Sequence, residues 1–89
     1  MPISNMPIAE RVARVLAAQA ARRQAHGTDD EAVNRTVDET WPQFTDNAIE
    51  VLKTLREPDA TMAQAGNLVN WQSMIGAAID GAAGPPRTP

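Results

Sequence analysis

Residues that could carry catalysis are few in this 89-residue chain, which contains no cysteine and a single histidine. The lack of thiols excludes disulfides, cysteine-based zinc sites and thiol nucleophiles. His26 directly precedes Gly27, a predicted helix end, where a histidine interacts favourably with the helix dipole. Ser4 and Ser73 lack the flanking glycines that shape a nucleophile elbow. We therefore predict that the chain is not an enzyme and that it holds no metal ion or cofactor.

Carboxylates cluster in the segment Thr28-Asp29-Asp30-Glu31. Three acids in a row could suggest a cation site, but the segment lacks the spaced oxygen ligands and central glycine of a calcium loop. Its threonine and glutamate match the capping box that opens a helix, and its aspartates favour the positive end of the helix dipole. The cluster therefore predicts the start of a short helix that ends near Glu39. Along it, Glu31, Arg35 and Glu39 are spaced to form an ion ladder.

The basic residues are unevenly distributed along the chain. Residues 1–28 carry four arginines against one acid, whereas residues 29–89 carry four basic residues against ten acids. Arg11, Arg14 and Arg22 fall on one stripe of a predicted first helix. Such a stripe is either a solvated flank whose stems cover apolar surface, or a recognition surface for an acidic partner or a phosphate backbone. The net charge of −3 argues against a general nucleic-acid binder, so these arginines are the predicted protein-binding residues.

The stretch from Trp41 to Pro58 predicts the central helix of the fold. Its apolar residues recur at helical spacing and would form one face: Trp41, Phe44, Ala48, Val51, Leu52 and Leu55. Pro42 fits the first turn of a helix, where its missing N–H is not needed, and Pro58 ends the helix. So much apolar surface predicts that this helix, over about 41–57, has neighbours on two sides.

The first helix is predicted to cover residues 7–25. Ser4 or Asn5 can cap its start, and Gly27 is well placed to end it. Glu10 is expected to point away from the core. One apolar stripe is lined by Ile8, Val12, Val15, Leu16 and Gln19.

Polar capping residues interrupt the helical pattern after the central helix. Asp59 predicts the start of a helix over about 60–69, and Asn70 predicts the start of a last helix over about 71–80. A single kinked helix over 60–80 is the alternative interpretation.

The predicted fold class is all-α, with four to five short helices packed around the central helix in one small domain. The domain covers residues 7–80, between an N-terminal arm, 1–6, and a disordered tail rich in glycine and proline, 81–89. Abundant alanine favours helices that pack closely over a sheet. No apolar run approaches the roughly 18 residues of a membrane span, and the N-terminus lacks the features of a secretory signal. We therefore expect a cytoplasmic protein.

Several of these segments together form a pattern. An Ile-Ala-Glu-Arg-Val-Ala helix start lies at 8–13, a tryptophan-led helix ending in Arg-Glu-Pro at 41–58, an Ala-Gly pair at 65–66, and Trp-x-x-Met-Ile-x-Ala-Ala at 71–78. This pattern resembles a group of small uncharacterised all-helical proteins of bacteriophages, prophages and alphaproteobacteria. The resemblance implies a phage or mobile-element accessory protein in a bacterial host, and it implies no activity and no site.

Three functions are open on these grounds. The leading hypothesis is a non-enzymatic module that binds a host or phage protein, such as an inhibitor of the anti-CRISPR kind or an assembly factor. The second is a small DNA-binding regulator that uses the arginines of the first helix. The third is a self-associating structural protein in which Trp71, Met74 and Ile79 are exposed in the monomer and buried in a homodimer. No membrane partner is expected, because the first helix carries no tryptophan or phenylalanine.

Overall fold

A computed structural model of the chain describes residues 4–24 and 29–82. Over these ranges the chain forms α1 (Ile8–Gln24), α2 (Asp30–Thr40), a 3₁₀ turn (Trp41–Phe44), α3 (Thr45–Leu55), α4 (Ala60–Ala65) and α5 (Leu68–Ala82). No strand occurs in these ranges, so the predicted all-α class is confirmed. Several predictions lie outside the described residues: His26, the helix end predicted at Gly27, the predicted capping threonine Thr28 and residues 83–89 of the predicted tail.

Helix α1 is the element that most of the others contact. It packs against α2, the 3₁₀ turn, α3 and α5, and α3 contacts both α1 and α5. The two neighbours predicted for the helix after Trp41 are therefore confirmed. Buried residues form two clusters that share α1. One joins α1 to α2 through Ala17, Ala21, Val33 and Val37, and the other joins α1, α3 and α5 through Ala9, Leu52 and Ile75.

The buried face of α1 consists of alanines. Ala9, Ala13, Ala17 and Ala21 recur every fourth residue and are all buried. Because alanine carries only a methyl group, a row of alanines lets neighbouring helices approach closely. The larger residues of the predicted apolar stripe flank this row, and Ile8 and Val15 are exposed by 36% and 56%. Glu10, expected to point away from the core, is half-buried beside Arg14.

Helix α2 begins one residue later than the capping box predicted. Asp29 is its N-cap, and the side chain accepts a hydrogen bond of 2.8 Å from the backbone N–H of Ala32. The ion ladder predicted along α2 is absent, since no salt bridge joins Glu31, Arg35 and Glu39. The Asp29 cap is therefore the polar interaction that stabilises the start of α2.

The predicted central helix begins with a separate 3₁₀ turn. Pro42 has no N–H with which to continue the α-helical ladder of α2. The chain therefore tightens into a 3₁₀ turn before α3 starts at Thr45. The buried face of α3 is also narrower than predicted. Ala48 and Leu52 are fully buried, whereas Val51 and Leu55 lie at its edge and are exposed.

Two separate helices follow α3, and a single kinked helix is not formed. Asp59 caps α4 as predicted, accepting a hydrogen bond of 2.9 Å from the N–H of Met62. The predicted cap of the last helix was wrong by three residues. Asn67 caps α5, and its side-chain oxygen accepts a 3.0 Å hydrogen bond from the N–H of Asn70. Helix α5 continues past residue 80 to Ala82, so Gly81 and Ala82, which the prediction placed in the tail, are helical.

Candidate functional site

Arg14, the central member of the predicted arginine stripe, is engaged within the fold. Its Nε donates to Glu10 at 2.9 Å, and its Nη1 donates to Asp38 on α2 at 2.7 Å. The guanidinium carbon also lies 5.3 Å from the ring centroid of Trp41, a distance typical of a cation–π contact. The hydrogen bond to Asp38, followed by that to Glu10, raises the pKa of Arg14 above its ordinary value. Arg14 thus ties α1 to α2 and to the 3₁₀ turn.

The other two predicted arginines face solvent. Arg11 is exposed. Arg22 lies 4.0 Å from Asp30, and both side chains remain largely exposed, by 60% and 92%. The three arginines do share one side of α1. Acidic residues of α2 lie next to two of them, Asp38 beside Arg14 and Asp30 beside Arg22. Their role in partner binding stays a prediction.

Of the large hydrophobic residues that are exposed, the two most exposed lie elsewhere, on α5. Val69 is 72% exposed, Met74 68%, Leu68 42% and Met62 39%. We call the exposed apolar residues of α4 and α5, with the half-buried Trp71, the α4–α5 surface. Within it Val69 lies on another side of α5, about 140° around the helix from Met74. An open groove of about 410 Å³ lies within it, lined by Pro58, Met62, Ala65, Leu68, Trp71 and Met74.

Trp71 and Ile75 attach the α4–α5 surface to the rest of the fold. The indole Nε1 of Trp71 donates a 2.6 Å hydrogen bond to the backbone oxygen of Leu55, in the last turn of α3. This bond satisfies a carbonyl that the helix end would otherwise leave unpaired. Ile75 is buried against Leu52 and Ala9 and fixes α5 to the core. Met74, one position before Ile75, is thereby held on the outer side of the helix.

Helix α4 is supported mainly by the chain on either side of it. It has no extensive contact with any other described element. Its start is fixed by Asp59 and its end by Gly66, which adopts an extended conformation. Of its six residues only Ala63 is partly buried. The apolar side of α4, including Met62, therefore remains accessible next to α5.

Charged residues are missing from the α4–α5 surface. The twenty residues from 60 to 79 include no Asp, Glu, Lys, Arg or His, although they cover α4 and most of α5. Asp59 and Asp80 bound this run in the sequence, and Asp80 is itself exposed on α5. Exposed apolar residues without charge are typical of the centre of protein interfaces.

The sequence identified only part of this surface. The self-association hypothesis required Met74, Trp71 and Ile79 to be exposed in the monomer. Met74 is 68% exposed, whereas Trp71 and Ile79 are half-buried against the α1–α3–α5 cluster. Val69 and Leu68 were missed, because helical spacing placed them at the end of one helix rather than at the start of the next. The run of twenty residues without charge was the signal that could have revealed them.

No protein-family model matches this chain, and no curated protein or solved structure matches it. No helix among the described residues is long and apolar enough to cross a membrane. Within the same part of the chain, no three acidic or histidine side chains gather into a possible metal site. The geometry of the described helices is therefore the basis for a functional proposal.

Proposed function

We propose that this chain is a non-catalytic protein–protein interaction module that binds through its α4–α5 surface. The observation that carries the proposal is the exposure of Val69 and Met74, by 72% and 68%, on helices without a charged residue between 60 and 79. Fully burying an aliphatic or methionine side chain contributes about 1.5–3 kcal/mol, so covering these residues would be strongly favourable. In the folded chain alone these side chains stay in contact with water, so the stabilisation is gained only when a partner covers them.

The groove suits a protein segment better than a small molecule. Small-molecule sites combine apolar walls with a few polar groups that fix the orientation of the ligand. Here the Trp71 N–H is already bonded to Leu55 and the Asn67 side chain caps α5, which leaves Asn70 as the remaining polar side chain of the groove. An amphipathic helix laid along the groove would cover Met62 and Met74.

The resemblance to small phage, prophage and alphaproteobacterial proteins supports the biological context of the proposal. It rests on residues 8–13, 41–58, 65–66 and 71–78. In that context the module would act in the bacterial cytoplasm as a phage or mobile-element accessory protein. An inhibitor of a host system, of the anti-CRISPR kind, and an accessory assembly factor are the two roles that fit a small module without catalytic residues.

A DNA-binding role has weaker support. It would use the arginine side of α1, where Arg14 is paired with Asp38 and Arg22 lies near Asp30. Those carboxylates would face an approaching phosphate backbone and repel it. DNA affinity that falls steeply with salt would instead indicate phosphate contacts and support this alternative.

Site-specific photo-crosslinking in cells tests the proposed surface. A photoreactive residue is placed at Met74, and a control is placed at Arg35, which is exposed on α2. We expect discrete crosslinked protein adducts from position 74 and few from position 35, because only the first lies on the α4–α5 surface. Equal yields at the two positions, or adducts only at position 35, would contradict the proposal.

A further inference from the structure

The chain between α3 and α5 forms a loop whose two ends are joined directly. The indole N–H of Trp71 donates to the backbone oxygen of Leu55 at 2.6 Å, and Ile75 packs against Leu52, so α5 is fixed to α3 without α4. Helix α4 lies within this loop. Neither of the two buried clusters among the described residues contains a residue of α4. The contacts that hold the other helices together therefore do not depend on α4.

Few interactions hold α4 in its helical form. It is only six residues long, and helices this short are unstable in water without tertiary packing. Its first backbone hydrogen bond, from the N–H of Ala63 to the oxygen of Asp59, is 3.0 Å long. Five of its six residues are exposed, and it has no extensive contact with any other described element. A segment with so few buried contacts opens at a low cost in free energy.

We propose that α4 unfolds and refolds locally while the rest of the fold stays intact, and that the groove exists only while α4 is folded. One wall of the groove consists of Met62 and Ala65 from α4, and the other includes Leu68, Trp71 and Met74 from α5. Opening of α4 removes the first wall. This inference rests on the proposed function, because it describes how the same surface is regulated. The folded fraction of α4 sets the fraction of chains able to bind, and the apparent affinity falls in proportion to it.

Two substitutions outside the groove change the stability of α4 in opposite directions. Asp59→Ala removes the side chain that caps α4 through the N–H of Met62 and should lower the folded fraction. Thr61→Ala replaces an exposed β-branched residue with the best helix former and should raise that fraction. Neither Asp59 nor Thr61 lines the groove, so neither change alters its walls directly.

Native-state hydrogen exchange of the purified full chain tests whether α4 opens alone. The amide of Ala63 should be at least about tenfold less protected than the amide of Ile75, which is buried in the core. Low concentrations of urea should accelerate exchange at Ile75 but not at Ala63, because local opening exposes little new surface and global unfolding exposes the core. Equal protection and equal urea dependence at the two amides would overturn the inference.

The variants test whether α4 belongs to the cooperative unit of the fold. Asp59→Ala should lower the protection of the Ala63 amide by up to about 30-fold, the effect of losing a helix cap, and change that of Ile75 much less. Asn67→Ala is the matched control, because it removes the cap of α5 and should lower the protection of Ile75. Equal losses at Ile75 in the two variants would place α4 in the same unit and overturn the inference.

Crosslinking from position 74 connects the opening of α4 to binding. Asp59→Ala should give fewer adducts than Thr61→Ala, because a smaller fraction of its chains has the complete groove. Equal yields in these two variants, with adducts still above those from position 35, overturn the inference and leave the interaction module in place. If position 74 gives no more adducts than position 35, the proposed function fails, and hydrogen exchange alone decides whether α4 opens on its own.

Discussion

At the scale of single residues, Arg14 shows how one side chain can join three elements. Its guanidinium donates to Glu10 on α1 and to Asp38 on α2, and it lies over the ring of Trp41 in the 3₁₀ turn. The planar guanidinium can donate hydrogen bonds in these two directions at the same time, and a lysine ammonium cannot reproduce this geometry. Arg11, one turn earlier on the same helix, is exposed and joins no described residue in a salt bridge.

Arg14→Ala should lower the midpoint of urea unfolding, and Arg14→Lys should lower it as well. The lysine keeps the positive charge but loses the two-directional hydrogen bonding and the flat contact with Trp41. Arg11→Ala is the matched control and should leave the midpoint unchanged. Identical midpoints for the Arg14→Ala and Arg11→Ala variants would show that Arg14 is only a solvated flank.

Sequence reasoning at this scale recognised residue types better than their contacts. The arginine stripe was predicted as a stripe, and its residues do share one side of α1. The pairing of Arg14 with Asp38 links residues 24 positions apart, so local spacing carries no information on it. Glu10, by contrast, pairs with Arg14 one turn away on the same helix, and its spacing alone could have indicated this contact.

At the scale of elements, the caps define where the helices begin. Asp59 was identified from the sequence because an acid directly after a helix-ending proline has few other roles. Asn67 and Asn70 offered two candidate caps three residues apart. The choice depends on Gly66, whose extended conformation ends α4 early and leaves Asn67 as the first residue able to cap α5.

Asn67→Ala should destabilise the protein by about 0.5–2 kcal/mol, the usual cost of removing a helix cap. The amide N–H of Asn70 loses its acceptor in this variant. Asn70→Ala is the matched control and should change the free energy of unfolding by no more than about 0.5 kcal/mol, because its side chain is exposed. Urea unfolding of the two variants measures the difference. If Asn70→Ala lowered the free energy of unfolding more than Asn67→Ala, then Asn70 would be the cap, as predicted from the sequence.

Periodicity predicted that helices exist, but it did not identify which side of α1 is buried. The row of Ala9, Ala13, Ala17 and Ala21 lies beside the larger Val12 and Leu16, and both rows are apolar. A hydrophobic pattern favours the row with larger side chains. The structure instead buries the smaller row, because α1 has neighbours on several sides and only alanine lets all of them approach.

At the scale of the whole molecule, a small hydrophobic core explains why several apolar residues remain exposed to solvent. Nine hydrophobic residues are buried among the described ones, and five of these are alanines. Both tryptophans and the single phenylalanine are only partly buried. A small domain buries a modest part of its surface, so additional burial through association adds a large fraction to its stability. The α4–α5 surface is where that burial is available.

The most direct measurement of this account uses the methionine methyl groups. Met62 and Met74 lie on the α4–α5 surface, and Met6 lies before α1 as an internal reference, 37% exposed. Methyl-labelled NMR spectra of the purified chain are compared with spectra recorded in a bacterial lysate. The signals of Met62 and Met74 should broaden or shift in the lysate more than the signal of Met6, because a bound protein would contact the α4–α5 surface. Equal changes for all three methionines would contradict the claim that this surface binds a protein.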